Sequence, residues 1–386
     1  MILKKIHSCA VTLFCLALLC VSAQAKTFTP DQLPLATHGA EIVDAHGTPI
    51  RLVSVNWYGF DQGEYVVGGL ERAPLADLAR EIRAMGFNSV RLPWANQVVE
   101  DNPVVPKYAL VANPQFEGKH ALEIMDAVVD ALAHEGLVVI LDNHTSRADW
   151  CCNEKDGNGL WYNRDYPESQ WIKDWQTLAR RYKAQPYVAA ADLRNELRSG
   201  AQWGGNDPAL DWHAAAERGG NALLAENPNL LIIVEGTKYA LDFAAVATLP
   251  VRLAVDHRLI YSPHNYGWSQ KVPQSYEELQ QKLDKDWGWL GSGPQAAPLW
   301  LGEIGVCQNL ADCRQYGDWF AYLARYIRES GVSWGYWALN ATQSSGYSRL
   351  YGTTEGYGLL SIDYQHVAAP DVLKLLEPAG LTPEKQ

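Results

Sequence analysis

From about residue 50 to residue 340 the chain alternates short apolar runs with longer amphipathic ones, eight times over. The short runs read as strands: RLVSVNW (51–57), NSVRLP (88–93), LVVILDN (137–143), VAAADLRN (188–195), LLIIVEG (230–236), LIYSPHN (259–265), PLWLGEIG (298–305) and VSWGYWALN (332–340). Apolar periodicity predicts helices near 74–85, 120–135, 167–183, 208–226, 239–248, 275–289, 315–330 and 370–377. Strands that alternate with helices in this way form a parallel sheet covered on both faces. Eight such units predict an α/β fold of the (β/α)8 TIM-barrel type. A doubly wound open sheet is the alternative, and no strand here is followed by the G-x-G-x-x-G turn that such sheets use for phosphate. HGAEIVDAHGTPI (38–50) has a Gly-centred turn between two β-like runs and predicts a short N-terminal β-hairpin that closes the barrel floor. With no linker, low-complexity tract or internal repeat, residues 26–386 are expected to form one domain.

The first residues, MILKKIHSCAVTLFCLALLCVSAQAK, place Lys4 and Lys5 ahead of an apolar stretch that ends in Ala23, Gln24 and Ala25. This is the layout of a secretory signal peptide cut after Ala25, so the mature chain is expected in the periplasm or the medium. Cleavage removes two lysines and no acids, which moves the formal charge from -12 to 30 - 44 = -14. Such a surface repels phosphate backbones and anionic lipid, so the expected partner is a neutral molecule, with no nucleic acid and no membrane. Fifteen Trp and 19 Tyr stand against seven Phe, a choice of aromatics with a polar handle that suits a wet, concave surface. Cys151, Cys152, Cys307 and Cys313 remain in an oxidising compartment, where three pairings are open. The short spacing favours a Cys307–Cys313 clamp, leaving Cys151 and Cys152 as a vicinal ring or free.

In a barrel of this kind chemistry sits at the C-terminal ends of the strands. Those ends carry Asn56, Trp57, Arg91, Trp94, Asn143, His144, Asn195, Glu196, Glu235, His264, Tyr266, Glu303 and Trp337. Each has a structural explanation taken singly; together at one rim they point to a site. Glu196 and Glu303 end the fourth and seventh strands, which face each other across the mouth, as glycoside cleavage by two carboxyls requires. Arg91 and Tyr266 are placed to keep Glu303 ionised as a nucleophile, while burial and the neighbouring charge keep Glu196 protonated as the acid. Asn195 can reach a sugar 2-hydroxyl, and Trp337 offers a flat face to a pyranose.

These positions resemble glycoside hydrolase family 5: Arg91 in VRLPW, His144 in LDNH, Asn195 and Glu196 in LRNEL, His264 and Tyr266 in SPHNY, Glu303 in GEIG and Trp337 in GYWALN. The resemblance spans about residues 38–365, and GLWYN, WIKDWQTLARRYKAQPYVAAADLRNE and PLWLGEIG are similar to secreted bacterial cellulases. It implies a retaining β-glycoside hydrolase, most nearly an endo-β-1,4-glucanase, monomeric, with no cofactor and no metal, acting on a polysaccharide or oligosaccharide. Leu197 stands where those cellulases usually carry Pro, Asn143 precedes the third-strand histidine, and the WCC loop (150–152) departs from them, which leaves mannan, mixed-linkage glucan and small β-glycosides as alternatives. A metal-dependent barrel hydrolase is disfavoured, because the first strand has no histidine and neither His144 nor His264 has a ligand partner at i+2 or i+4. A silent carbohydrate-binding barrel is disfavoured because both acids are present. Trp57, Trp94, Trp150, Trp161, Trp203 and Trp268, at or just past strand ends, are the expected substrate aromatics; Trp171, Trp175, Trp212 and Trp319 are expected in the core.

Overall fold

The computed structural model describes residues 26–293 and 296–384, so the expected signal peptide lies outside the described residues. Eight parallel barrel strands run in chain order: Val53–Asn56, Ser89–Ala95, Val138–Thr145, Val188–Asp192, Leu231–Glu235, Leu259–Ser262 continued as His264–Tyr266, Trp300–Gly305 and Ser333–Tyr336. The sixth strand is broken at Pro263, which has no N–H to give to a ladder. Tyr261 pairs with Leu299 and His264 with Glu303, so both halves meet the seventh strand and the ring closes.

Val138, Ile140, Ala190, Leu231, Ile233, Ile260 and Trp300 pack together in a buried cluster that also takes in Phe28, Leu33, Leu35 and Ile42 from the N-terminal segment. That segment is a three-stranded antiparallel sheet, Ala36–His38, Glu41–Val43 and Pro49–Ile50, one strand more than the expected hairpin. It packs on one end of the barrel, and the opposite end is free to hold a site.

Seven of the eight expected helices form, with ends moved by a few residues where caps decide. The helix expected from 208 spans Trp212–Glu226, because the Asp211 carboxylate accepts from the Ala214 N–H at 3.1 Å and fixes the start. The helix expected over 239–248 is corrected. Thr237–Ala240 is a single turn with Lys238, Tyr239 and Ala240 at positive φ, followed by the short 3-10 segment Ala244–Ala247. Left-handed backbone cannot propagate a right-handed helix in L-residues. The Tyr239 N–H donates instead to the Leu197 carbonyl at 2.9 Å, bringing this turn against the mouth of the fourth strand.

Candidate active site

The open end of the barrel holds a cleft of about 740 Å³. His144, Asn195, Glu196, His264, Tyr266, Glu303 and Trp337 all line it, joined by Trp150, Cys151, Cys152 and Trp268. Arg91 lies directly beneath them and is fully buried.

The guanidinium organises the floor. Its Nη1 donates to Glu303 Oε1 at 2.8 Å and to Asn56 at 3.1 Å; its Nη2 donates to Asn195 Oδ1 at 2.9 Å and Glu235 Oε1 at 3.1 Å; its Nε donates to Asp192 at 3.0 Å. Asp142 Oδ1 stands 3.1 Å from Nη2. One cation is therefore shared among four buried carboxyl groups. Burial and the nearby Glu235 push the Asp192 carboxyl well above the usual carboxylate range, against the lowering pull of Arg91.

Glu303 accepts from Arg91 and, at 2.8 Å, from the Tyr266 hydroxyl. Burial alone would raise its pKa; the positive charges of His264 and Arg91 outweigh that and hold it below the ordinary value. Glu196 goes the other way, raised by burial and by the charge of Glu303 against the lowering bond from His264. Two carboxyls with opposed shifts are the signature of an acid and a base sharing one site. His264 Nδ1 is 3.1 Å from Glu196 Oε1 and Nε2 is 3.3 Å from Glu235 Oε1. Burial alone would lower the pKa of the ring, yet Glu235 and Glu303 push it well above the usual histidine value. An oxygen of Glu196, a ring nitrogen of His264 and an oxygen of Glu303 lie within 4.8 Å of one another.

Glu196 leaves its strand in the left-handed region, φ 43°, which is uncommon for a residue with a side chain. Its N–H donates to Glu235 Oε2 at 2.7 Å, which anchors the turn. On the far side Arg198 donates to the Glu196 carbonyl at 2.7 Å and to the Asn153 carbonyl at 3.1 Å, and pairs with Asp156. These bonds tie the loop after Cys152 to the main chain of Glu196.

Trp337 is flanked by Tyr58 and His144, each stacked at 5.3 Å between ring centres, with Trp150 edge-on at 6.1 Å. The Arg349 guanidinium lies 3.2 Å over the Trp150 ring and pairs with Glu355, which accepts from the Tyr58 hydroxyl at 2.7 Å. Arg349, Glu355, Tyr357 and Tyr239 also line the cleft; the first three sit in a loop without periodicity, and Tyr239 was read as part of the helix expected over 239–248.

Four expected cleft aromatics are corrected. Trp57 is fully buried and donates to the Gly68 carbonyl at 2.9 Å, because strand alternation turns Asn56 inward and Trp57 outward under the following loop. Trp94 packs edge-on against Trp175 at 4.8 Å in the outer core. Trp161 is buried on Trp212 and donates to Glu168 at 2.8 Å. Trp203 packs on Tyr261 and His213 and donates to the Leu249 carbonyl at 2.8 Å, away from the cleft. Trp150 and Trp268 do line the cleft, Trp268 with 59% of its surface exposed. Trp171, Trp175, Trp212 and Trp319 are core.

The sulfurs pair Cys151 with Cys152 and Cys307 with Cys313. Among the described residues no helix is long and apolar enough to cross a membrane.

Residues 43–343 match the family model for cellulase, glycosyl hydrolase family 5. An endoglucanase of Paenibacillus polymyxa is 34% identical over 326 residues, 79% of this chain and 79% of that one. The major extracellular endoglucanase of Xanthomonas campestris is 32% identical over 316 residues, 78% of this chain and 64% of the relative's length. A solved complex of an endocellulase from Pyrococcus horikoshii with cellotetraose superposes with a TM-score of 0.78 at 26% identity, over 91% of this chain and 99% of that one.

Proposed function

The chain belongs to the cellulase family, glycosyl hydrolase family 5, and from that premise we propose that it is a secreted, retaining endo-β-1,4-glucanase in which Glu303 is the nucleophile and Glu196 the acid/base. The observation that carries this reading is the oxygen-to-oxygen approach of Glu196 and Glu303 within 4.8 Å, with opposed pKa shifts. Retaining enzymes hold their carboxyls about 5–5.5 Å apart, inverting ones roughly 6.5–9.5 Å. Glu303 attacks the anomeric carbon while Glu196 gives its proton to the glycosidic oxygen; water then attacks the glycosyl–Glu303 ester with Glu196 taking the proton back. Asn195, held by Arg91, faces the 2-hydroxyl of the sugar over Trp337, and Tyr239 and Trp268, beyond Glu196, receive the leaving sugars.

Secretion follows from the signal layout of residues 1–25, and the extracellular relative is in keeping with it. In such a compartment the two sulfur pairs are disulfides. The Arg349–Glu355 pair, which lines the cleft with Arg349 over Trp150, favours a second reading, a preference for chain ends or short β-glycosides.

Product analysis on β-1,4-glucan, mixed-linkage glucan, mannan and short cello-oligosaccharides tests both. Endo action on β-1,4-glucan gives a spread of oligosaccharides with the β-anomer formed first. Release of a single short product from chain ends supports the second reading, and α-anomer formed first rules out Glu303 as nucleophile. Trp268→Ala is expected to raise KM for long cello-oligosaccharides roughly two- to tenfold, the worth of one aromatic contact. Trp161→Ala should leave KM alone and cost about 3–5 kcal/mol of stability, as a buried indole does; an unchanged KM in the Trp268 variant would remove that ring from the substrate path.

A further inference from the structure

Beside the carboxylate pair, on the side of Asn195, the cleft holds a cluster with different chemistry. Cys151 Sγ is 3.4 Å from His144 Nε2, and Asn195 Nδ2 is 3.7 Å from Cys151 Sγ and 3.5 Å from Cys152 Sγ. Donor atoms of His144, Cys151 and Cys152 lie within 4.8 Å of one another. His144 Nδ1 is engaged by Asp142 at 2.7 Å, so Nε2 is the nitrogen left facing the sulfurs. A carboxylate behind an imidazole that faces two sulfurs is the layout by which proteins orient a zinc ligand. On a tetrahedral zinc the edge between a sulfur and a nitrogen ligand is about 3.5 Å. The 3.4 Å separation between Cys151 and His144 fits that edge without moving either residue.

We propose that Cys151 and Cys152, once reduced to two thiols, form with His144 a site for a thiophilic divalent cation such as Zn2+, whose occupancy blocks hydrolysis. While the sulfurs are bonded to each other they carry no charge, and the cleft is open to sugar. A dithiol reductant supplies two electrons and two protons to the S–S bond and leaves as its own cyclic disulfide. The cation then displaces both thiol protons and takes two thiolates and Nε2, with a fourth position toward the cleft. It stands where Asn195 and His144 would meet the sugar, so cation and substrate exclude each other. Arg198, bonded to Asn153, Asp156 and the Glu196 carbonyl, holds the Cys152 loop in register with the site. Among the described residues no acid or imidazole joins Cys307 and Cys313 in a comparable cluster.

The test treats the full chain with a dithiol, desalts it under inert gas at mildly alkaline pH, and titrates it with Zn2+ or Co2+. The expected result is uptake of about one equivalent, a thiolate-to-Co2+ charge-transfer absorption, and at least a roughly tenfold fall in hydrolysis that a chelator reverses. Unreduced protein should take up neither ion at this site. Metal uptake is read without substrate, so it stands or fails apart from the glucanase reading, on which only the inhibition arm rests. Cys152→Ser should abolish uptake, and the Cys307→Ser/Cys313→Ser double variant should keep it. Uptake that is equal before and after reduction, that is absent after reduction, that is lost in the double variant, or that leaves hydrolysis unchanged overturns the proposal.

Discussion

Glu303→Gln and Glu196→Gln each lower turnover of β-1,4-glucan on the order of a hundredfold or more, the usual worth of nucleophilic and proton-transfer roles. The two losses differ in kind. Glu303→Gln leaves no oxygen able to form the glycosyl ester, so every substrate fails. Glu196→Gln removes only the proton donor, so an aryl β-glycoside with a good leaving group still forms the ester and then stalls. The pH profile separates them further. With Glu303 acting ionised and Glu196 protonated, activity is expected to rise with pH through the depressed pKa of Glu303 and to fall through the raised pKa of Glu196. In Glu196→Gln the alkaline limb should vanish while the acid limb stays. Near-normal turnover in either variant, or an alkaline limb that persists without Glu196, would return the assignment to the other rim residues.

Arg91→Met is expected to be the most damaging change to stability as well as to activity. The guanidinium is fully buried among Asp142, Asp192, Glu235 and Glu303, and its loss leaves their charge uncompensated. Removing one partner of a buried ion pair costs about 3–5 kcal/mol. The folded fraction should also be inactive, since Glu303 loses the charge that keeps it ionised and its acid limb moves up in pH. Arg91→Lys keeps the charge without the planar fork and should fall between the two. Denaturant midpoints and pH profiles measure both effects; a midpoint shift worth less than about 1 kcal/mol would mean the acids relax by taking up protons.

The barrel was legible because a parallel strand buried on both faces leaves an unbroken apolar run, and eight such runs leave few topologies. The residues that meet in the cleft were legible because only the strand ends had to be read. What failed was parity and path. Trp57 and Tyr58 are neighbours, and one residue of alternation decides that Tyr58 stacks on Trp337 while Trp57 packs under a loop. Asp142 shares the inward face of its strand with His144, two residues on, a signal that was available. The left-handed turn at Lys238–Ala240 had none: its residues favour a helix locally, and contact with Leu197 overrides that preference. Arg349 and Glu355 owe their place to a loop's course, which periodicity does not encode.

Glu235 grips the Glu196 main chain with one oxygen and Arg91 with the other, and Arg91 in turn grips Glu303. The spacing of the Glu196 and Glu303 carboxyls is thereby set from below, by the fully buried Arg91 and Glu235. Arg349, Glu355 and Trp268 line the walls above and make none of these bonds. Substitutions in the walls of this protein are therefore expected to change which glycan is bound, while the carboxyl spacing, fixed by the floor, stays the same.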